Sequence, residues 1–162
     1  MTTYLKEDFA YDANLVLEDS LASTAAVSAI VASQEGKVLD VAKIVDLGDG
    51  LVEGYMIVDI DAIDVDEADE SYFIKLQAAQ SATFATAGLI RDIAHLQLGA
   101  GELLGNATAT TGDQGTAGER YVVPFRNEIA GVVYRYVRVY QLIANGTGES
   151  ITDTIWLSIK RK

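Results

Sequence analysis

Apolar and polar positions alternate most cleanly over residues 71–79, SYFIKLQAA. Tyr72, Ile74, Leu76 and Ala78 share one face, and Phe73, Lys75 and Gln77 share the other. A period of two marks a strand with one face turned inward. Residues 51–60, LVEGYMIVDI, are almost continuously apolar instead. That pattern suits a strand covered on both faces or lying at an interface, and Gly54 in its middle predicts a bulge or a close backbone approach. The stretch Glu119–Ile143 is the most strand-like of all, with an apolar and aromatic run at 120–125 and a second, rich in Val and Tyr, at 132–143. The second run is long for a strand in a small domain, which predicts a central strand that others pair with.

The same criteria predict strands over 38–46, ended by the glycine turn 47–50, and over 91–98. Residues 80–89 form a small-residue loop with Phe84 turned inward, and the Gly-, Thr- and Ala-rich stretch 99–118 forms a loop with one short strand near 106–110. In the last strand, 151–160, Ile151, Ile155, Leu157 and Ile159 point inward and Trp156 faces the other way. Asn145-Gly146 is a strong turn signal, so 132–143 and 151–160 are expected to pair as a hairpin. Residues 1–36 differ: spaced aromatics, then a small, weakly apolar run. Ser20 can cap a helix over 21–32, but Ser, Thr and Val are poor helix formers, and an extended arm fits equally well. The expectation is an arm over 1–36 and a domain over 37–162. With about seven to nine strands, short turn intervals and almost no helix, the fold class is all-β: a β-sandwich, with a jelly roll the expected arrangement, carrying an N-terminal arm or short helix.

Composition narrows the chemistry. The 162 residues suit one domain and contain no cysteine, which removes disulfides, Zn–Cys sites and a Cys nucleophile. No apolar run reaches the length of a membrane-spanning helix. The N-terminus carries acids where a signal peptide needs basic and apolar residues, so a cytosolic product is expected. The net charge is −12 and uneven: residues 1–118 hold 20 acids and 5 bases, and residues 119–162 hold 4 acids and 7 bases. An acidic bulk opposes nucleic-acid binding, whereas the basic third suits an acidic protein surface.

Candidate catalytic groups are few. The single histidine, His95, lies in an apolar run and is expected to be a packed core residue. There is no nucleophile elbow and no phosphate-binding loop. Residues 59–70 hold seven acids, but their spacing matches no calcium loop, so a solvated loop is expected. The sequons at Asn106 and Asn145 are taken as chance matches. Tyr134, Tyr136 and Tyr140 fall on one strand face with Arg138, which suits packing or docking better than a nucleic-acid platform.

The succession Glu53–Ile60, Tyr72–Gln77, Glu119–Glu128, Tyr134–Tyr140 and Ile155–Leu157 resembles the capsid cement (head-decoration) proteins of tailed bacteriophages, of the Bordetella-phage type. The resemblance covers about residues 35–160 and rests on packing motifs. It implies a jelly-roll structural protein on the outside of an icosahedral head, stapling major capsid subunits together. It also implies a homo-oligomer, dimer or trimer, made in the host cytoplasm and carried on the virion. No enzyme activity, cofactor, metal, nucleic-acid partner or membrane partner comes with it. The residues expected at the partner interface are Tyr4, Phe9, Tyr11, Tyr134, Tyr136, Arg138, Tyr140 and Trp156. A reading of another class is a carbohydrate-binding or carbohydrate-processing sandwich module, with Trp156 and the tyrosines stacking on sugar rings and the acidic loop holding Ca²⁺.

Overall fold

A computed structural model describes residues 11–24, 31–65, 70–86, 89–99, 116–144 and 150–159. The described strands are β1 (Val16–Thr24), β2 (Val31–Glu35), β3 (Lys37–Val38), β4 (Val41–Ala42), β5 (Val45–Asp46), β6 (Glu53–Ile63), β7 (Ser71–Ala79), β8 (Arg91–Gly99), β9 (Arg120–Arg126), β10 (Glu128–Ile129), β11 (Val132–Val133), β12 (Tyr136–Ala144) and β13 (Ser150–Ile159). A 3₁₀ turn, Ala13–Leu15, capped by the Asp12 carboxylate, precedes β1. The chain is an all-β sandwich of antiparallel sheets. One sheet runs β1-β13-β6-β9 and the other β2-β12-β7-β8, with β5 also on β12.

Both sheets bury the inward half of an alternating pattern. Met56, Val58 and Ile60 of β6 and Ile151, Ile155 and Leu157 of β13 face Tyr72, Ile74, Leu76 and Ala78 of β7 and Val137, Val139 and Ile143 of β12, all in one cluster. Each large side chain so buried contributes roughly 1.5–3 kcal/mol. The near-continuous apolar run of β6 has its explanation on the outer face. There Ile57 is fully buried with Val16 and Trp156, and Val38 and Tyr55 pack against them. The single proline, Pro124, lies on β9 at a sheet edge, where a missing N–H costs no ladder bond.

The expected strands 71–79, 91–98 and 120–125 stand where β7, β8 and β9 lie, and 51–60 and 151–160 shift by a few residues to β6 and β13. Several expectations need correction. Residues 38–46 are not one strand: Val38 pairs with Val41 in a two-residue hairpin whose turn, Leu39–Asp40, has φ of 52° and 61°. Positive φ at both positions is the primed geometry that matches strand twist, and it costs a leucine about 1 kcal/mol. The run 132–143 is likewise divided. Val132 and Val133 fold back on Ile129 and Glu128 through Ala130–Gly131, again with positive φ at both positions, before β12 begins at Tyr136. The β12 and β13 strands do not pair with each other. β12 lies between β2 and β7, and β13 between β1 and β6, so the link between them crosses from one sheet to the other. Of the helix considered over 21–32, residues 21–24 lie on β1 and 31–32 on β2, each paired in its own sheet, and 25–30 lie outside the described residues; the sandwich thus already includes residues placed in the arm. His95 is exposed on β8 beside Lys75 and is not a core residue, because Ala94, Leu96 and Leu98 take the inward positions there. The short strand expected near 106–110 lies outside the described residues.

Asn127 ties the β10–β11 hairpin to the body. Its Nδ2 donates to Gly50 O (3.1 Å) and Tyr134 O (3.0 Å), and its Oδ1 accepts from the Val52 amide at 2.8 Å. Its backbone adds bonds to Val52 and Tyr134. Asn127→Ala strands these buried partners and is expected to cost about 2 kcal/mol in urea unfolding. A variant as stable as the parent would show that water replaces the side chain.

Candidate functional site

Three groups of side chains carry the chemistry available outside the core: the outer face of the β2-β12-β7-β8 sheet, the nest around Trp156, and the arginines of the basic third.

On the outer face of β12, Tyr136, Arg138, Tyr140 and Leu142 alternate with the inward residues, opposite Ala79, Gln77, Lys75 and Phe73 of β7. Arg138 is 9% exposed. Its Nε and Nη2 both donate to Gln77 Oε1 at 3.1 Å, and its Nη1 donates to Glu35. Its guanidinium lies 4.4 Å from the Phe84 ring centre and 5.4 Å from that of Tyr140. Gln77 in turn donates to Asp92, which pairs with Lys75 at 2.9 Å. One polar network thus crosses all four strands. Phe84 is buried, as expected, but it sits under Arg138 on the outer side of the sheet and has a φ of 47°.

Trp156 is 4% exposed. Tyr11 meets its ring edge-on at 5.6 Å, and the Arg120 guanidinium lies 5.1 Å from its centre. Arg120 is fixed there by a bidentate pair with Asp59, at 2.5 Å and 2.7 Å. That carboxylate holds the Arg120 guanidinium charged to higher pH than usual.

The other arginines of the basic third among the described residues, Arg126 and Arg135, are also matched within the chain. Arg126 meets Glu128 at 3.0 Å and Glu53 at 3.7 Å. Arg135 grips Asp46 with two bonds of 2.7 Å and reaches Asp49 at 3.0 Å. The Arg135 bond, then the Gly48 amide, hold the Asp46 carboxyl below its ordinary range, and Asp46 in turn raises Arg135. Among the described residues, the charge asymmetry therefore folds onto itself. Arg120, Arg135 and Arg138 dock on acids of the first two thirds and do not form a basic patch for an acidic partner.

Of the eight residues expected at an interface, Tyr4 and Phe9 lie outside the described residues. Tyr11 is exposed, and Tyr136 and Tyr140 are half-buried. Tyr134, Arg138 and Trp156 are buried: Tyr134 belongs to the core, Arg138 is held by Gln77 and Glu35, and Trp156 is covered by the chain's own residues. Tyr134 precedes β12 and does not share the face of Tyr136 and Tyr140, because the β10–β11 hairpin breaks the run ahead of it. Residues 59–70 are not one solvated loop, because β6 runs on to Ile63: Asp59, engaged by Arg120, and Asp61, which accepts from Thr154, lie on that strand, Glu70 is buried, and 66–69 lie outside the described residues. Among the described residues no group of three His, Cys, Asp or Glu side chains is placed to hold a metal ion.

Sequence reasoning missed a broad groove of about 880 Å³ beside the β8 and β9 edges, lined by Leu51, Tyr55, Ile93, Pro124, Phe125 and Ile129 with charged side chains between them. Its residues come from three separated segments, 51–55, 92–93 and 124–129, and no spacing along the chain announces it. Comparison of the chain with protein-family models, with curated proteins and with solved structures found no match.

Proposed function

We propose that the chain is a virion structural protein: a capsid cement, or head-decoration, protein that binds the outside of an icosahedral phage head and stabilises contacts between major capsid subunits. The observation that carries the reading is the nesting of its strand pairs. The eight principal strands pair first with last (β1 with β13), second with seventh (β2 with β12), third with sixth (β6 with β9) and fourth with fifth (β7 with β8). This nesting, with β13 also meeting β6 and β12 meeting β7, supports the jelly-roll arrangement that the sequence resemblance implies. The internal matching of the arginines supports the same reading, because it leaves an acid-rich exterior that repels packaged nucleic acid. A rigid sandwich with its polar groups satisfied is suited to burying surface across subunit boundaries, and many copies on one lattice need only modest contacts each.

The test is add-back. Purified chain is mixed with heads that lack their decoration protein, and both bound protein and the temperature at which DNA escapes are measured. Saturable binding with a rise in that temperature is expected. Failure to bind, or binding without added heat resistance, would overturn the assignment.

A further inference from the structure

We propose that the outer face of the β2-β12-β7-β8 sheet carries a binding site for a neutral saccharide, centred on Tyr140. An open cavity of about 430 Å³ lies there, lined by Gln77, Ile90, Arg91, Asp92, Arg138 and Tyr140. That volume is within the range of small-molecule sites. Tyr140 is half-buried and supplies an aromatic wall, with Lys75 and Glu35 opposite it on the neighbouring strands. The polar groups around it are fixed before any ligand arrives. Arg138, nine-tenths buried, is held by Gln77, Glu35 and the Phe84 ring, and Asp92 is held by Gln77 and Lys75. Such preorganisation lowers the cost of binding.

These groups keep capacity for a ligand. Arg138 spends one N–H on Glu35 and two on Gln77, and a guanidinium carries more than that. Gln77 Nε2 gives one hydrogen to Asp92, and each Asp92 oxygen accepts a single bond, so both hold further capacity. Directed donors and acceptors therefore stand side by side around one aromatic ring. A sugar hydroxyl donates and accepts at once, and the C–H face of a sugar ring suits the negative face of an aromatic ring. Other ligand classes fit less well. The charges at the cavity are Arg91, Arg138 and Lys75 against Asp92 and Glu35, a net of +1, and Lys75 and Arg138 are already met by Asp92 and Glu35. The chain as a whole carries −12, which opposes an anion. A purely apolar ligand would strand the polar lining. An extended peptide needs a free strand edge, whereas β12 and β7 are each paired on both sides. Of the residues that a sugar-stacking reading of the sequence names, Trp156 is covered and Tyr140 lines a cavity. The site stands independently of the capsid assignment, because it is measured on the free protein.

Saturation-transfer NMR on the full chain tests it, with maltose, cellobiose, lactose and chitobiose as neutral probes and galacturonate as the anionic one. At least one neutral disaccharide is expected to bind saturably, with a Kd on the order of 1 mM. Tyr140→Phe keeps the ring and is expected to bind like the parent, whereas Tyr140→Ala is expected to weaken binding about tenfold or more. Tyr136→Ala, on the same strand face but outside the cavity lining, is expected to leave binding unchanged. Should Tyr140→Ala fail to fold, Asp92→Ala takes its place, with the same loss expected. A parent that binds none of the neutral disaccharides, a preference for galacturonate over all of them, a Tyr140→Ala protein that binds like the parent, or an equal loss in Tyr136→Ala would each overturn the proposal.

Discussion

Asp153→Asn is expected to raise stability at pH 8 by about 2–3 kcal/mol and to remove most of a stability loss that the parent shows between about pH 4 and pH 7. Asp153 is fully buried on the inward face of β13, where Gln141 Nε2 from the opposite sheet donates to both of its carboxylate oxygens, at 2.9 Å and 2.8 Å. Burial pushes this carboxyl up from 3.8 to about 7, the Gln141 bond pulls it partly back, and the negative charge of Asp61 adds to the rise. The folded chain therefore holds its proton over a range in which the unfolded chain has already released it. Where the folded state binds more protons, stability falls as pH rises. The contribution is complete below about pH 4, declines through the window, and is gone above about pH 7. Each pH unit of that window is worth about 1.4 kcal/mol, so the loss is on the order of 4 kcal/mol. Asparagine keeps the shape and an acceptor for Gln141 but carries no charge to desolvate. Its own buried amide keeps the gain below the full amount. Urea unfolding of both proteins from pH 4 to pH 9 checks this. Surface pairs such as Asp46 with Arg135 act in the opposite direction, because a lowered carboxyl pKa adds stability above its unfolded value that is lost as pH falls. They act equally in both proteins, so the difference between the two curves isolates Asp153. Parallel curves would mean that Asp153 is ionised and hydrated in the fold.

That buried pair also shows which parts of the molecule were legible in the sequence. The period of two placed Ile151, Ile155 and Leu157 inward, and the same period puts Asp153 among them and Gln141 among Val137, Val139 and Ile143. The signal is present, but alternation alone does not single out a polar residue in the inward register as part of the core. Strand existence was legible wherever alternation or β-branched content ran unbroken, as in β7 and β9. It failed where a two-residue turn used non-glycine residues. Leu39–Asp40 and Ala130 hold positive φ without the Asn-Gly or Gly-Gly signature, so 38–46 and 132–143 each looked like one strand. Partner choice failed for a different reason. Asn145-Gly146 argues for a local hairpin, but β12 and β13 lie in opposite sheets of the sandwich, and each finds its ladder with strands distant in sequence. The expected interface suffered from the same limit. Aromatics rank high as contact residues, yet Trp156 and Tyr134 are consumed by surfaces that the chain itself provides, while the exposed apolar tip at Leu39 looked like strand interior.

Gly54→Ala is expected to destabilise the sandwich by about 3 kcal/mol or more, a large loss for a single added methyl group. The glycine lies in β6, paired with Ile159 of β13 on one side and Phe125 of β9 on the other, with no break in register. A Cβ there would lie 2.3 Å from Ser158 O, 3.0 Å from Ile159 Cα and 3.2 Å from Ile159 Cγ2. The nearest obstacles are backbone atoms, so no rotamer change relieves them, and β13 must move away from β6. Of the two alternatives that the sequence leaves open at this glycine, the close approach is the one present, and the reason is steric, since Gly54 needs no positive φ. The displacement falls on the ladder that joins the first and last thirds of the chain, beside Leu157, which is fully buried in the core. The loss should therefore appear as a cooperative drop in the urea midpoint with an unchanged slope, because the whole sandwich unfolds together. Gly50→Ala, at a glycine whose added Cβ would meet nothing within 4 Å, is the matched control and is expected to be near neutral. Equal midpoints for the two variants would mean that the β6–β13 pair opens at little cost, and that the close approach at Gly54 is not what fixes the strand spacing.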